Sequence, residues 1–333
     1  MSDGRFRVLV TSSELIPNAG DMLVRVGASI DTITGKVTEA RLIEALAKPT
    51  QAIVMRGNPP ITRAVLEAAA PHLRVIAKPG AGVDSVDLKA ATEHGIPIMT
   101  AGYGNAPAVA EITIGFMLAL GRDVVRLDRR TRGGDWRRDD YDSSELSGQT
   151  LGLVGFGRIG RRVAELARAF GMRVLVFTRT PGKVTPDLAE LAESLDALLR
   201  ESDYVSLHCP LDATTRGLIS GQAIAAMPCG AFLINTGRGA LVDEAALAEA
   251  LASGHLAGAA LDTLSEEPPP SDNPLLSAPN LILTPHIAGL STGAVQRTGA
   301  TTAENIIAVL TGGEIERANV ANPDVLERLK ARA

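Results

Sequence analysis

The first hundred residues alternate short apolar runs with segments in which apolar positions recur at helical spacing. The apolar runs lie at residues 7–11, 52–55, 74–77 and 96–99, and the helical spacing is clear at residues 64–73. Strands that alternate with helices in this way pair in parallel, with the helices covering the sheet. This part of the chain therefore predicts a parallel α/β sheet.

A second series of the same kind begins near the middle of the chain. Its apolar runs lie at residues 150–154, 173–178, 204–208, 231–235, 256–261 and 281–284. Residues 108–120 are apolar almost all round and predict a buried helix between the two series. Residues 294–310 predict one more helix, and the polar tail at 319–333 is too short to form a domain, so we expect it to pack on the first domain.

The predicted fold class is therefore α/β, with two doubly wound parallel-sheet domains. We predict that residues 1–102 and 288–333 form a discontinuous, flavodoxin-like substrate domain. A second domain of residues 103–287 is inserted within it. We expect a ligand-binding cleft between the two.

The inserted series opens with a glycine-rich turn, in which Gly155, Gly157 and Gly160 have Gly-x-Gly-x-x-Gly spacing. The turn follows the apolar run 150–154 and opens a segment of helical spacing. The first glycine permits a tight turn, the second lets the main chain approach a pyrophosphate, and the third lets the helix pack on the strand. A strand, this turn and a helix in that order predict a dinucleotide-binding Rossmann domain.

Composition and charge argue against several other classes of function. A net charge of −5 over 333 residues and 3% aromatic residues provide no basic stripe and few stacking platforms, so we expect no nucleic-acid partner. Basic residues concentrate at 129–138, next to acidic ones, which we interpret as a solvated or subunit-contact surface. We interpret Trp136 as a packing or dimer-contact residue rather than a substrate contact. Cys209 and Cys229 lack metal-ligand spacing, so we expect no metal and a reducing, cytoplasmic location. The N-terminus has no apolar signal core and residues 112–120 are too few to span a bilayer, so we expect no membrane role.

The end of the second Rossmann strand bears on the choice between NAD and NADP. A site that prefers NAD usually has an acidic residue there, which hydrogen-bonds the ribose and repels a 2′-phosphate. Here the strand is followed by Thr178, Arg179 and Thr180, and no acid occurs between Glu165 and Asp187. Hydroxyls and a guanidinium would accept the phosphate, so we predict a preference for NADP(H), with NAD(H) also accepted.

Six ordered blocks resemble the D-isomer-specific 2-hydroxyacid dehydrogenase family over essentially the whole chain. They are residues 80–84, 109–111, 152–160, 235–239, 262–268 and 284–288. In that order they are similar to the family's substrate-carboxylate loop, linker-helix start, cofactor fingerprint, and the blocks bearing its catalytic arginine, acid and histidine. The resemblance implies that Arg238, Glu267 and His286 are catalytic and that Asp262 lies near the nicotinamide.

These residue types suit the chemistry that the resemblance implies. Reduction of a 2-keto acid needs a proton donor to the carbonyl oxygen, the reverse reaction needs a base, and His286 can serve both near neutral pH. Glu267, bonded to the other ring nitrogen, would fix the tautomer of the imidazole. Arg238 would orient the substrate as a fixed, charged fork, assisted by the main-chain amides of Ala81 and Gly82.

The full set of expected contacts combines the motifs with the resemblance. Cofactor contacts are expected from Gly155, Gly157, Arg158, Ile159, Gly160, Thr178, Arg179, Thr180, Cys209, Pro210, Thr215, Thr236, Gly237 and Asp262. Substrate contacts are expected from Met55, Arg56, Ala81, Gly82, Arg238 and His286. From the residues alone Glu266 and Glu267 are equal candidates for the acid. We interpret the other histidines as surface or satisfied core residues: His72, His94, His208 and His255.

The resemblance and the NADP prediction together favour a D-2-hydroxyacid dehydrogenase that works as a glyoxylate or hydroxypyruvate reductase. Arg56, if turned inward, would bind a second anionic group and favour the alternative, a D-3-phosphoglycerate dehydrogenase. Formate enzymes of the family have glutamine at the position of Glu267, which speaks against formate oxidation. A dinucleotide-sensing corepressor is a remote alternative of a different class. The family also implies a homodimer formed through the nucleotide domain.

Overall fold

The structure is a computed structural model that describes residues 5–57, 59–139, 141 and 143–330. The chain forms two compact units: the first is Met1–Asn105 with Leu290–Ala333, and the second is Ala106–Gly289. The predicted division has its boundaries after residues 102 and 287, a few residues before those of the two units. The functions assigned to the two parts stay predictions.

The described residues contain strands and helices in regular alternation. The strands are β1 (Phe6–Val10), β2 (Ala28–Thr32), β3 (Ala52–Val54), β4 (Val75–Lys78), β5 (Ile98–Thr100), β6 (Thr150–Val154), β7 (Arg173–Phe177), β8 (Glu190–Leu191), β9 (Tyr204–Leu207), β10 (Phe232–Asn235), β11 (Gly258–Leu261) and β12 (Leu281–Leu283). The α-helices are α1 (Ala19–Arg25), α2 (Glu39–Leu46), α3 (Arg63–Ala69), α4 (Leu88–His94), α5 (Gly102–Gly121), α6 (Val124–Arg132), α7 (Arg158–Ala169), α8 (Leu195–Glu201), α9 (Gly221–Ala226), α10 (Glu244–Ala252), α11 (Thr292–Thr311) and α12 (Val325–Lys330). Short 3₁₀ turns lie at Pro181–Lys183, Gly239–Leu241, Pro274–Ser277 and Arg317–Asn319.

The first unit is built on a parallel sheet with the strand order β2-β1-β3-β4-β5. This is the flavodoxin-like order. Successive residues of β1 face opposite sides: Val8 packs in one apolar cluster and Leu9 in another. Helices therefore cover both faces, which confirms the predicted doubly wound sheet.

The second unit is built on a parallel sheet with the order β12-β11-β10-β9-β6-β7-β8. From β6 the chain winds outward through β7 and β8, and then through β9 to β12 on the other side. The winding direction thus changes between β6 and β9. In sheets of this kind ligands bind at the carboxyl ends of the strands where the direction changes. The Rossmann architecture predicted for this part of the chain is confirmed.

Two strands, β2 and β8, were not predicted. β2 is an edge strand with polar residues at Ser29, Asp31 and Thr32, so it lacks a continuous apolar run. Its Asp31 pairs with the Arg7 guanidinium of β1, with Nε and Oδ2 2.7 Å apart. β8 has two residues, both exposed, and leaves no apolar pattern to detect.

The predicted apolar helix is longer than expected. α5 has 20 residues, and in the described part of the chain it is the one helix long and apolar enough to cross a membrane by length and composition. The prediction that this stretch is too short to span a bilayer is therefore wrong on length. Ala110, Ile114 and Met117 of α5 pack in a core cluster of the second unit. Burial in the protein accounts for its apolar faces.

The tail packs on the first unit, as predicted, as far as residue 330. Val320 forms an antiparallel bridge with Met99 of β5. Asn322 is buried, accepts a hydrogen bond from the Ile98 N–H at 2.8 Å and donates to the Ile96 carbonyl at 3.0 Å. The tail thus satisfies main-chain groups at the edge of the sheet.

Candidate active site

The glycine turn joins β6 to α7 and has the form that a dinucleotide needs. Gly155 has a φ of +102°, and a Cβ there would lie 2.7 Å from the main chain of Cys209. A Cβ at Gly160 would lie 2.3 Å from the Gly155 carbonyl oxygen. At Gly157 nothing lies within 4 Å of the Cβ position, so that side of the turn is open. The first N–H groups of α7 have no partner within the helix and can hold a phosphate, so the turn fits a bound pyrophosphate.

The end of β7 presents hydroxyls and a guanidinium, as the sequence predicts. The hydroxyls of Thr178 and Thr180 lie 3.3 Å apart, and the Thr180 N–H donates to Thr178 Oγ1 at 3.2 Å. Arg179 Nη1 donates to Oδ2 of Asp212 at 2.7 Å. The sequence shows no acid near Arg179, but the fold brings one from the loop after β9.

Two predicted cofactor contacts have their hydroxyls engaged inside the protein. The Thr215 hydroxyl donates to the Pro210 carbonyl at 2.8 Å and accepts from the Asp212 N–H at 2.8 Å. The Thr236 hydroxyl lies 3.2 Å from that of Thr113 on α5. Both threonines are buried. Their hydroxyls are thus engaged within the protein, and the cofactor contacts expected of these two residues stay predictions.

His208 and Cys209 follow β9, directly beside the glycine turn. His208 Nε2 lies 2.9 Å from Ser206 Oγ, and burial lowers the pKa of this imidazole to about 4. Burial also raises the pKa of the Cys209 thiol to about 11. Both side chains are therefore neutral near pH 7, and His208 has the hydrogen-bonded role expected for it.

The sequence-predicted histidine and acid lie in contact. His286 Nδ1 and Glu267 Oε2 are 2.8 Å apart. The other carboxylate oxygen of Glu267 accepts from the Leu264 N–H at 3.1 Å, which fixes the acid on its loop. His286 follows β12 and has a φ of +56°, an uncommon conformation for a residue other than glycine. Both side chains are exposed in part, so the imidazole is accessible.

Asp262 holds the loop that carries His286. Its carboxylate is 1% exposed and accepts hydrogen bonds from Thr284 Oγ1 at 2.6 Å, the Ile287 N–H at 2.9 Å and the Ala288 N–H at 2.9 Å. Its carbonyl oxygen accepts from the His286 N–H at 2.8 Å. The resemblance implies that Asp262 lies near the nicotinamide, and that stays a prediction. The structure shows that its side chain fixes the left-handed turn at His286.

Arg238 lies on a turn shaped by Asn235, which is fully buried. Asn235 Oδ1 accepts from the Gly237 N–H at 2.9 Å, and its Nδ2 donates to the Arg238 carbonyl at 2.8 Å. Arg238 Nη1 donates to the Gly237 carbonyl at 2.8 Å. A Cβ at Gly239 would lie 1.9 Å from the Leu264 carbonyl carbon. The arginine turn therefore packs directly against the loop that carries Glu267.

The predicted substrate contacts of the first unit follow β3 and β4. Met55 is 1% exposed and its side chain packs in the core, so only its main chain is left for a substrate. Arg56 Nη1 donates to the Glu14 carbonyl at 3.1 Å. Ala81 is exposed and Gly82 is half-buried.

Lys78 is a cation of the first unit that sequence reasoning missed. It ends β4, just before the loop of residues 80–84, and its Nζ donates to Ser85 Oγ at 3.2 Å. Its position at the carboxyl end of a strand was a usable signal, because sheets of this kind bind ligands at that edge.

Residues 114–288 match the model of the D-isomer specific 2-hydroxyacid dehydrogenase, NAD binding domain. A D-3-phosphoglycerate dehydrogenase of Methanocaldococcus jannaschii is 39% identical over 318 residues, which are 95% of this chain and 59% of that protein. A hydroxypyruvate reductase of Thermotoga maritima is 37% identical over 276 residues, 82% of this chain and 89% of that protein. A solved acyclic imino acid reductase in complex with NADPH and D-Arg is 26% identical, with a TM-score of 0.86, and the match covers 95% of this chain and 99% of that one.

These similarities extend over both units and are not confined to the Rossmann domain. The chain spans less than two thirds of the Methanocaldococcus relative and most of the Thermotoga relative. The matching model describes an NAD-binding domain, in agreement with the open glycine turn. The chain belongs to the D-isomer specific 2-hydroxyacid dehydrogenase family.

Proposed function

We propose that this protein is a nicotinamide-dependent oxidoreductase that reduces a small 2-keto acid to its 2-hydroxy acid: glyoxylate to glycolate, or hydroxypyruvate to D-glycerate. The observation that carries the proposal is the contact of 2.8 Å between His286 Nδ1 and Glu267 Oε2. It lies beyond the carboxyl end of β12, at the edge where doubly wound sheets bind ligands. An imidazole oriented by a carboxylate is suited to move a proton in both directions.

The path of the proton follows from this contact. Because Glu267 engages Nδ1, the Nε2 atom of His286 is the one directed to the substrate. Protonated Nε2 donates to the carbonyl oxygen in reduction, and neutral Nε2 accepts the hydroxyl proton in oxidation. Glu267 holds the imidazole in the orientation that both directions require. The nicotinamide, when bound, supplies the hydride chemistry at the adjacent carbon.

Arg238 is the group that we propose to orient the substrate. Its main chain is fixed by Asn235, and the side chain is half-buried beside the Glu267 loop. A guanidinium is always charged and binds a carboxylate through two parallel N–H groups. The contacts proposed for Arg56, Ala81 and Gly82 would come from the first unit.

We propose NADP(H) as the preferred cofactor, with NAD(H) accepted as well. Thr178, Arg179 and Thr180 support this proposal, since they offer hydroxyls and an exposed guanidinium where a 2′-phosphate would lie. The imino acid reductase, a related structure, contains NADPH. Arg179 also pairs with Asp212, which competes with a 2′-phosphate for the guanidinium.

A D-3-phosphoglycerate dehydrogenase is the second candidate function. Arg56 and Lys78 favour it, because two cations follow neighbouring strands of the first unit and a phosphorylated substrate carries a second anionic group. The Methanocaldococcus relative has this activity in its name. Neutralising either cation would then raise the KM for the phosphorylated acid specifically.

We also propose a homodimer formed through the second unit. Helix α6 has no buried residue, Val124 at its start is 53% exposed, and Trp136 just beyond it is 78% exposed. We propose that Val124 and Trp136 lose this exposure in the interface between two subunits. Sedimentation analysis of the unchanged chain and of Val124→Asp with Trp136→Ser tests this: the first should be dimeric and the second monomeric.

A steady-state assay tests the proposed function. The purified protein is given NADPH or NADH with glyoxylate, hydroxypyruvate or 3-phosphohydroxypyruvate, and loss of nicotinamide absorbance is followed. We expect turnover with the unphosphorylated acids and a D-configured product from hydroxypyruvate. A preference for the phosphorylated acid would support the second candidate. Absence of turnover with all three acids would overturn both and favour a dinucleotide-sensing protein.

A further inference from the structure

The Arg179–Asp212 ion pair lies at the carboxyl end of the sheet of the second unit. β6 lies between β7 and β9, Arg179 follows β7, and Asp212 follows β9. Strands two positions apart are separated by about 10 Å. The pair therefore spans the carboxyl end of β6, where the glycine turn begins and where the dinucleotide is proposed to lie.

Asp212 is held in place by its own loop. Its Oδ1 atom accepts from the Thr214 N–H at 2.9 Å and from Thr214 Oγ1 at 2.6 Å, while Oδ2 is left for Arg179. The hydrogen bonds from Thr214, together with the Arg179 guanidinium, keep the pKa of Asp212 well below its usual range. The carboxylate is therefore ionised and in a fixed position near neutral pH.

Selectivity for NAD usually depends on an acidic residue at the end of the second strand. What repels a 2′-phosphate physically is a negative charge at that position. That position can be filled from another strand. In this protein no acid follows β7, and Asp212 brings a negative charge to Arg179 from the loop after β9, 33 residues along the chain from Arg179. A carboxylate beside the guanidinium of Arg179 repels a phosphate that approaches that guanidinium.

We propose that Asp212 is a specificity-determining residue that limits the preference for NADPH by holding Arg179 in an ion pair. A 2′-phosphate must then compete with the Asp212 carboxylate for the guanidinium. NADH makes no such demand on Arg179. This inference rests on the proposed function, because it assumes that a nicotinamide dinucleotide binds at the glycine turn.

The solvent exposure of the two side chains limits how much Asp212 can change the relative affinities for NADH and NADPH. The side chains of Arg179 and Asp212 are 62% and 36% exposed, so water and salt weaken their attraction. An exposed pair changes an equilibrium by roughly threefold to fivefold at most. Asp212→Asn should therefore fold normally and shift the ratio of the NADH and NADPH dissociation constants toward NADPH by roughly that factor.

Calorimetric titration with NADPH and with NADH, in the absence of substrate, tests the inference. The proteins are the unchanged chain, Asp212→Asn, Arg179→Ala and the double variant. Asp196→Asn is the matched control, because Asp196 pairs with Arg200 on an exposed surface of the same unit, with Oδ2 and Nε 2.9 Å apart. This control removes the same charge without touching the Arg179 pair.

We expect tighter NADPH binding in Asp212→Asn, little change for NADH, no shift in Asp196→Asn, and loss of the gain in the double variant. An unchanged ratio in Asp212→Asn, or a gain that persists without Arg179, would overturn the inference while leaving the proposed function intact. If neither dinucleotide bound to the unchanged chain, the proposed function itself would fail and this inference with it.

Discussion

The substitution Asp262→Asn tests how the structure holds its proposed acid–base residue. The Asp262 carboxylate is 1% exposed and accepts three hydrogen bonds, two of them from the main-chain N–H groups of Ile287 and Ala288. An asparagine has one accepting oxygen in place of two. Whichever way its amide is turned, one of these N–H groups faces an NH₂ group and loses its acceptor.

The magnitude follows from these contacts. A buried donor left without a partner costs about 1–3 kcal/mol, and each remaining bond loses about 1 kcal/mol when its acceptor is no longer charged. We therefore expect the free energy of unfolding to fall by about 3 kcal/mol, and the Tm of the transition that reports on the second unit to fall by about 6–12 °C. Asp196→Asn, an exposed control, should change the Tm by no more than about 2 °C.

The same carboxylate fixes the turn at His286, so activity should fall as well. A displacement of about 1 Å at a reacting group can lower a rate by about a hundredfold. We expect kcat to fall by about tenfold to a hundredfold at a temperature where the variant is folded, while the dissociation constant for NADPH stays within about threefold. Scanning calorimetry, steady-state kinetics and cofactor titration measure the three quantities. A Tm within 2 °C of the unchanged chain would refute the hydrogen-bond argument. A large loss of cofactor affinity with unchanged kcat would show that Asp262 contacts the nicotinamide instead.

Two further predictions follow from packing and burial. Gly239→Ala should lower the free energy of unfolding by about 1–3 kcal/mol and reduce turnover, because a Cβ there would lie 1.9 Å from the Leu264 carbonyl carbon. Gly182→Ala is the matched control, because nothing lies within 4 Å of a Cβ there. Equal Tm values for the two variants would contradict the reasoning. Ellman's reagent at pH 8 should modify the exposed Cys229 and spare Cys209. Burial raises the pKa of the Cys209 thiol to about 11, so only about one thousandth of it is ionised at that pH. Rapid modification of the Cys229→Ser variant would show that Cys209 is reactive and would contradict this prediction.

Local periodicity was enough to predict much of the fold. β6 lies at the predicted residues, and the glycine turn and α7 follow it in the predicted order, because a buried parallel strand is a continuous apolar run and its turn needs glycines at fixed spacing. β2 escaped detection because an edge strand buries fewer of its residues. Apolar periodicity reports burial, so elements that are half-exposed leave a weaker pattern.

In the candidate site too, contacts within recognisable sequence blocks could be predicted, and contacts that depend on the three-dimensional strand order could not. The contact between Glu267 and His286 was anticipated through the family resemblance, since both residues lie in recognisable blocks. The pairing of Arg179 with Asp212 could not be anticipated from the sequence. The two residues lie on different loops and come together only because of the strand order β9-β6-β7. The sequence could not decide between two roles of Asp262, a ligand contact and capping of the next turn. An acid after an apolar strand has the same sequence pattern whether it faces a ligand or the main chain.

The most direct test of the account compares the unchanged chain with His286→Ala in a single turnover. Enzyme in excess is mixed with NADPH and then with the keto acid that the steady-state assay favours, and oxidation of the bound nucleotide is followed. We predict that His286→Ala binds NADPH with nearly unchanged affinity and oxidises it at least about a hundredfold more slowly, because the proton donor is missing. Oxidation at a rate within about threefold of the unchanged chain would contradict the assignment of His286 as the acid–base residue.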